Sequence, residues 1–234
     1  MSQPEYTALT GAFAGAPRHS YIVCIKDPYS ALTHLFGFLF AIIGAAPLLL
    51  YTARHKGGMA VAAVGAFLVC MAILYLASTM YHALYLPPKQ DQILRKIDHI
   101  SISLLIAGTY TPVCLLNLPH STGYPLLVAV WSVALAGAVM KLFWITCPKW
   151  VSSVLYIGMG WLCIFAFPAL FKQLSPVAWA LLFFGGVAYT VGGVVYALTP
   201  ANFNLQHPQF GTHEIFHVFV LVGSFLHYAF MFVS

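Results

Sequence analysis

A chain of 234 residues that is 61% hydrophobic and only 6% charged cannot make a water-facing surface, since soluble domains carry roughly 25% charged residues. The length fits one domain, and lipid must cover most of its outside. The formal net charge of +5 does not point to nucleic acid: the basic residues lie singly and in short loops, without a basic stripe or interleaved aromatics, so the surplus is a topology signal.

In chain order, residues 1–29 are mixed and polar and lack the basic start and short apolar core of a cleavable signal. They are expected to form a cytoplasmic N-terminal segment, leaving residues 30–234 as the membrane domain. A spanning helix needs about 20 apolar residues, and seven stretches qualify, at about 30–52, 58–84, 98–118, 123–145, 151–172, 177–199 and 211–233. Turn-forming residues separate them: His55-Lys56-Gly57-Gly58, Pro87-Pro88-Lys89, Pro119 to Gly123, Cys147-Pro148-Lys149, Ser175-Pro176, and Thr199 to Gly211. The expected fold is an all-α integral membrane protein, a seven-transmembrane helix bundle.

Orientation follows from the cations. Arg18, Lys26, Lys89, Arg95, Lys96, Lys141 and Lys149 fall on the side of the N-terminus, against Arg54, Lys56 and Lys172 on the other. Dropping Lys141 as part of the fourth segment leaves the same bias: positive residues stay inside, so the N-terminus is cytoplasmic and the C-terminus outside. The cysteines Cys24, Cys70, Cys114, Cys147 and Cys163 are far apart, without ligand or redox spacing, and read as buried small hydrophobes. Gly158-Met159-Gly160, Gly185-Gly186 and Gly192-Gly193 read as close-packing points between helices.

Ionisable groups in spans are costly and mark functional sites. Of five acids, Asp27, Asp98 and Glu214 are expected at the starts of the first, third and seventh segments. His82 lies near the end of the second, and His213 and His217 open the seventh. The first, third and seventh run outward and the second returns, so all these groups share one depth near the inner leaflet. His213 and His217, at i and i+4, share a helical face. With His82 they make the three-imidazole tripod of a catalytic zinc site, whose fourth position stays open. Ser78 precedes His82 by one turn and points the same way, suited to donating a hydrogen bond to a developing oxyanion. Asp98 is suited to holding or deprotonating water, or to orienting a ligand imidazole. His34 shares a polar stripe with Asp27 and Ser30 and reads as part of a structural network. His227, about 21 Å from His213 along the helix, reads as a buried partner for another helix. His99, His120 and His207 read as interfacial or loop residues. His213-Glu214-Ile215-Phe216-His217 also satisfies the HExxH pattern in which the glutamate is a general base, so a peptidase is an alternative.

Beyond these residues the chain resembles a known group. The ordered set Asp27-Pro28-Tyr29-Ser30-Ala31-Leu32-Thr33-His34, Ser78-Thr79-Met80-Tyr81-His82, Ile97-Asp98-His99-Ile100, His213-Glu214-Ile215-Phe216-His217 and Gly223-Ser224-Phe225-Leu226-His227 is similar to that of the hemolysin III branch of the progestin and adipoQ receptor family. The likeness runs over nearly the whole chain from Asp27 onward. It implies a zinc ion on His82, His213 and His217 with Asp98 and Ser78 beside it, a cytoplasmic N-terminus, and an arrangement like that of the alkaline ceramidases, which cleave a lipid amide. Many members have glutamate where this chain has Asp27, and some have glutamine at the position of Glu214. The function expected is zinc-dependent hydrolysis of a membrane lipid amide or ester, in lipid homeostasis. The alternatives are a non-enzymatic sensor of membrane state with a structural zinc and, more weakly, an ion path.

Overall fold

The computed structural model describes residues 25–198 and 200–234. Most of the segment 1–29, with Arg18 and Cys24, lies outside the described residues. Among the described residues there are nine α-helices: α1 (Pro28–His55), α2 (Gly58–Ala83), α3 (Pro88–Leu116), α4 (His120–Phe143), α5 (Lys149–Gly160), α6 (Phe167–Gln173), α7 (Pro176–Leu198), α8 (Ala201–Gln206) and α9 (Thr212–Val233). Among the described residues, seven helical runs are long and apolar enough to cross a membrane, α5 and α6 counting as one. The chain is a multi-pass membrane protein.

Local chemistry sets the ends. Pro28, Pro88 and Pro176 open α1, α3 and α7, where a missing N–H costs nothing and the fixed φ is already helical. Gly57 turns α1 into α2 at φ 81°, a conformation that side-chain-bearing residues rarely adopt. Pro47, Pro112 and Pro125 sit inside helices, as membrane helices tolerate when neighbours re-satisfy the freed carbonyls.

Consecutive packing of α1 on α2, α2 on α3 and α3 on α4 continues through α3 on α5, α5 on α7, α7 on α9 and α9 back on α1. Six spans thus make a ring, with α4 outside it against α3. The ring's interior holds Phe67, Met71, Leu74, Tyr75, Leu105, Val220 and Phe230, while Ile43, Leu135, Phe143 and Phe165 face outward. Outward hydrocarbon side chains cost nothing where the surroundings are lipid. Gly185, Gly192 and Gly193 lie against His227, Phe219 and Ile157, the close approach expected of small residues between helices. Gly158, Gly160 and Gly186 face open space and do no such packing. Cys70, Cys114, Cys147 and Cys163 are free thiols, the first three buried.

Two expectations about boundaries are corrected. The third helix begins at Pro88, ten residues before the expected 98, because the polar turn containing Lys89, Asp91, Arg95 and Lys96 stays helical outside the hydrocarbon. Lys26 anchors that turn by a 2.7 Å ion pair to Asp91. The fifth span is not continuous: Trp161–Ala166 is a 3-10 segment between α5 and α6. The Tyr110 hydroxyl patches this break, donating to the carbonyl of Gly160 (2.6 Å, with that of Met159 at 3.1 Å) and accepting the Cys163 amide at 2.9 Å. Lys141 belongs to the last turn of α4, fully buried, with Nζ on Ser152 Oγ (2.5 Å) and Cys147 Sγ (3.1 Å).

Candidate metal centre

Three helix ends meet at one end of the ring. Asp27 stands immediately before α1, His82 in the last turn of α2, and His213 and His217 in the first two turns of α9. The backbone delivers the first pair together: the Asp27 amide donates to the His82 carbonyl at 2.8 Å, and the Lys26 amide to that of Ala83 at 3.3 Å. The carbonyls left bare at a helix C-terminus are thus satisfied by the strand of chain that carries Asp27.

Among the described residues, His82, His213 and His217 form a set of ligand-type side chains whose donor atoms all lie within 4.8 Å of one another. His82 Nε2 and His213 Nε2 are 3.2 Å apart. His82 Nδ1 donates to Asp27 Oδ2 at 2.9 Å, which leaves Nε2 as a bare lone pair facing the other rings. His217 Nδ1 approaches Thr33 Oγ1 at 3.4 Å; that hydroxyl already donates to the carbonyls of Tyr29 and Ser30, so it accepts from Nδ1 and again leaves Nε2 bare. Burial opposes charging Asp27, but the hydrogen bond it accepts from His82 and the nearby charge of Lys26 hold the carboxyl below its usual value.

The structure brings Ser78 and Asp98 to the same place without making them part of the triangle. Both are buried and line one cavity with His34, His213 and His217. Asp98 is not at a helix start, as expected, but about 15 Å up α3 from Pro88. Its Oδ2 lies 3.1 Å from His99 Nδ1, which donates to the Arg95 carbonyl at 2.9 Å. His99 is therefore a buried helix residue, not a loop one. The carboxylate that meets the His82 ring is that of Asp27, not of Asp98.

Glu214 has another occupation. Oε2 accepts the Gly211 amide at 2.8 Å, capping α9, and Oε1 accepts Ser30 Oγ at 2.7 Å, pinning α9 to α1. Both oxygens are thus engaged in holding α9 in place. His34 is stacked on His217 with centroids 3.6 Å apart and 9° between planes, and neither of its ring nitrogens has a hydrogen-bond partner among the described residues. Its ring supports the His217 ring by contact, not through the network expected. The polar stripe Asp27, Ser30, His34 was visible in the sequence; what each member touches was not, because the partners lie 55 and 184 residues away.

The cavity, about 130 Å3, extends from this cluster between α3, α5, α7 and α9 and is walled largely by apolar groups such as Leu105, Ile106, Trp161, Phe167 and Leu182. On its other side His213 borders a polar hollow lined by Lys149, Asn204, Thr212 and Glu214.

Comparison with known proteins decides the family. The model of the family described as "Haemolysin-III related" matches residues 22–228. The chain belongs to the haemolysin III family. It is 39% identical over 195 residues to a "Hemolysin-3 homolog" of Bacillus subtilis (strain 168), covering 83% of this chain and 87% of that one. To "Hemolysin-3" of Bacillus cereus it is 36% identical over 195 residues, 83% and 85% of the two lengths. No solved structure matches the chain significantly. Every residue of this haemolysin III chain placed at the centre above falls within the matched range.

Proposed function

We propose that this chain binds zinc through His82, His213 and His217 and hydrolyses an amide or ester bond of a membrane lipid, with the histidine centre on the cytoplasmic side. The observation that carries the reading is the junction itself: two of the three converging imidazoles, His213 and His217, line a mainly apolar chamber with a carboxylate and a hydroxyl in its wall. The donor set fits the metal. Tetrahedral zinc with Zn–N bonds of 2.0–2.1 Å holds ligand nitrogens about 3.4 Å apart, against 3.2 Å between His82 and His213. Two of the three rings also have the outer nitrogen engaged, as second-shell orientation of a metal ligand requires.

Zinc at this place supplies Lewis acidity, polarising a carbonyl and making water more acidic. The remaining work falls to the chain. The chamber holds the acyl part of the lipid and excludes water from it. Asp98 takes a proton from the attacking water and returns it to the leaving amine or alcohol, a role needing a buried carboxylate within reach of the centre. The Ser78 hydroxyl donates to the oxygen on which negative charge develops. Asp27 keeps the His82 lone pair aimed inward, and His34 props His217. The polar hollow beside His213 offers water and the headgroup a way in from the aqueous face.

The test is fatty-acid release by purified protein, with elemental analysis of the same sample. Asp98→Asn should keep the metal and the thermal melting temperature but lose turnover by about 100-fold or more. In the competing reading, a regulator in which zinc merely ties α2 to α9, Asp98→Asn leaves physiological activity intact while His82→Ala lowers melting and frees α9. A wild-type protein that holds zinc and releases no fatty acid from any lipid class would end the hydrolase reading.

A further inference from the structure

The wall that α7 gives the chamber contains a place that no side chain fills. Leu182, Gly186, Tyr189, Gly193 and Tyr196 all line the cavity, at the three- and four-residue spacing that puts them on one helical face. Tyr196 marks the level of the histidine centre, since its ring centroid is 5.9 Å from that of His213. The lipid-facing side of α7 is elsewhere: Phe184 is 57% exposed, and at 3.6 residues per turn it lies about 200° around the helix from Gly186. A Cβ added to Gly186 would therefore point into the chamber, and it would meet no atom within 4 Å. Two other glycines of the helix are closed off, Gly185 against the His227 ring and Gly193 against Ile157.

Depth gives this gap its consequence. Along α7, Gly186 stands about 15 Å from Tyr196, and Trp179, which also lines the cavity, stands about 10 Å further on. The chamber thus continues past Gly186. The tail of an ordinary membrane lipid spans one leaflet, about 15 Å of the roughly 30 Å hydrocarbon core, and more when fully extended. A tail whose carbonyl sits at the histidine centre runs its last methylenes past Gly186. We propose that Gly186 is a specificity residue: by carrying no side chain it keeps the chamber open at mid-depth, so that the preferred ligand is a long-chain acyl lipid whose tail ends among Leu170, Trp179 and Phe183. The inference rests on the acyl-chamber reading above and sharpens it: the histidines set which bond is cut, and the bare helix face at Gly186 sets how long a tail is accepted. A larger residue there would fill the passage and turn away whatever part of the tail lies beyond it.

The experiment measures binding, not turnover, on the purified full chain by calorimetry with palmitate and with decanoate, whose shorter chain stops before Gly186. The wild type should prefer palmitate. Gly186→Leu should weaken palmitate binding by about tenfold or more, the effect of denying burial to two methylene groups, and should leave decanoate within about twofold of wild type. Gly186→Ala, a smaller intrusion, should give a loss between the two, and neither variant should melt lower, because the added atoms enter open space. Gly158→Leu is the control: that glycine is exposed on the outer surface of α5, also with open space about it, and its replacement should change neither affinity. A folded Gly186→Leu protein that keeps the wild-type ratio of the two affinities, or that loses both acids equally, overturns the inference and leaves the hydrolase reading standing. Failure of the wild type to bind either acid overturns both.

Discussion

Asp27→Asn is the substitution that most directly tests how the centre is held. The change removes the carboxylate charge from His82 Nδ1, 2.9 Å away, and keeps the backbone bond from residue 27 to the His82 carbonyl, because that bond uses the main chain. The fold at the end of α2 should therefore survive. Loss of an outer partner of a metal-ligating histidine weakens metal binding by about 10- to 100-fold. Asp27 is 45% exposed whereas His82 is 4% exposed, so solvent screens the acid, and the effect should fall near the tenfold end, about 1.4 kcal/mol. The assay is a zinc competition titration against a chromophoric chelator, wild type beside variant, with melting curves of the metal-free forms as a control on folding. Asp27→Glu, whose side chain is one methylene longer, should lie between the two. An unchanged zinc affinity in a folded Asp27→Asn protein would refute the claim that this carboxylate orients the ligand.

Three further outcomes follow from the geometry. His82→Ala should abolish stoichiometric metal, read by elemental analysis, since two imidazoles on one helix then stand alone. Glu214→Gln should leave fatty-acid release within a few fold of wild type and lower stability by about 1 kcal/mol, the worth of a helix cap; a collapse of turnover with the fold intact would return the glutamate to the role of base. Gly123→Ala should lower stability by about 3 kcal/mol, the upper end for overpacking. The new Cβ would fall on the Cys114 backbone carbonyl where α4 meets α3, and backbone cannot retreat as a side chain can; an unaltered melting temperature would show that this junction yields.

The spans were legible because crossing hydrocarbon is a matter of length and composition, and those are written locally. What local hydropathy cannot see is helix that continues outside the lipid, which is why the turn from Pro88 to Ile97 was read as loop although it is helical. The break at Trp161 was equally hidden, since each of its residues is apolar and the phenol of Tyr110 that bonds its backbone lies some fifty positions away. At the site, the i and i+4 histidines and the alternation of helix direction sufficed to bring His82, His213 and His217 together. Their orienting partners were out of reach, because Asp27, Thr33 and Ser30 find His82, His217 and Glu214 through tertiary packing alone. Glu214 is the sharpest case: its motif suggested chemistry, and its two oxygens are used for architecture.

Helix α3 bears both Asp98, beside the histidines, and Tyr110, whose phenol mends the severed ladder of the fifth span. In hydrocarbon there is no water to take over those carbonyls and that amide, so the fifth span cannot slide along α3 without stranding them. Twelve residues of one rigid rod, about 18 Å, therefore separate the carboxylate from the wall's weak point. Any displacement of that wall therefore pulls on the rod that carries Asp98.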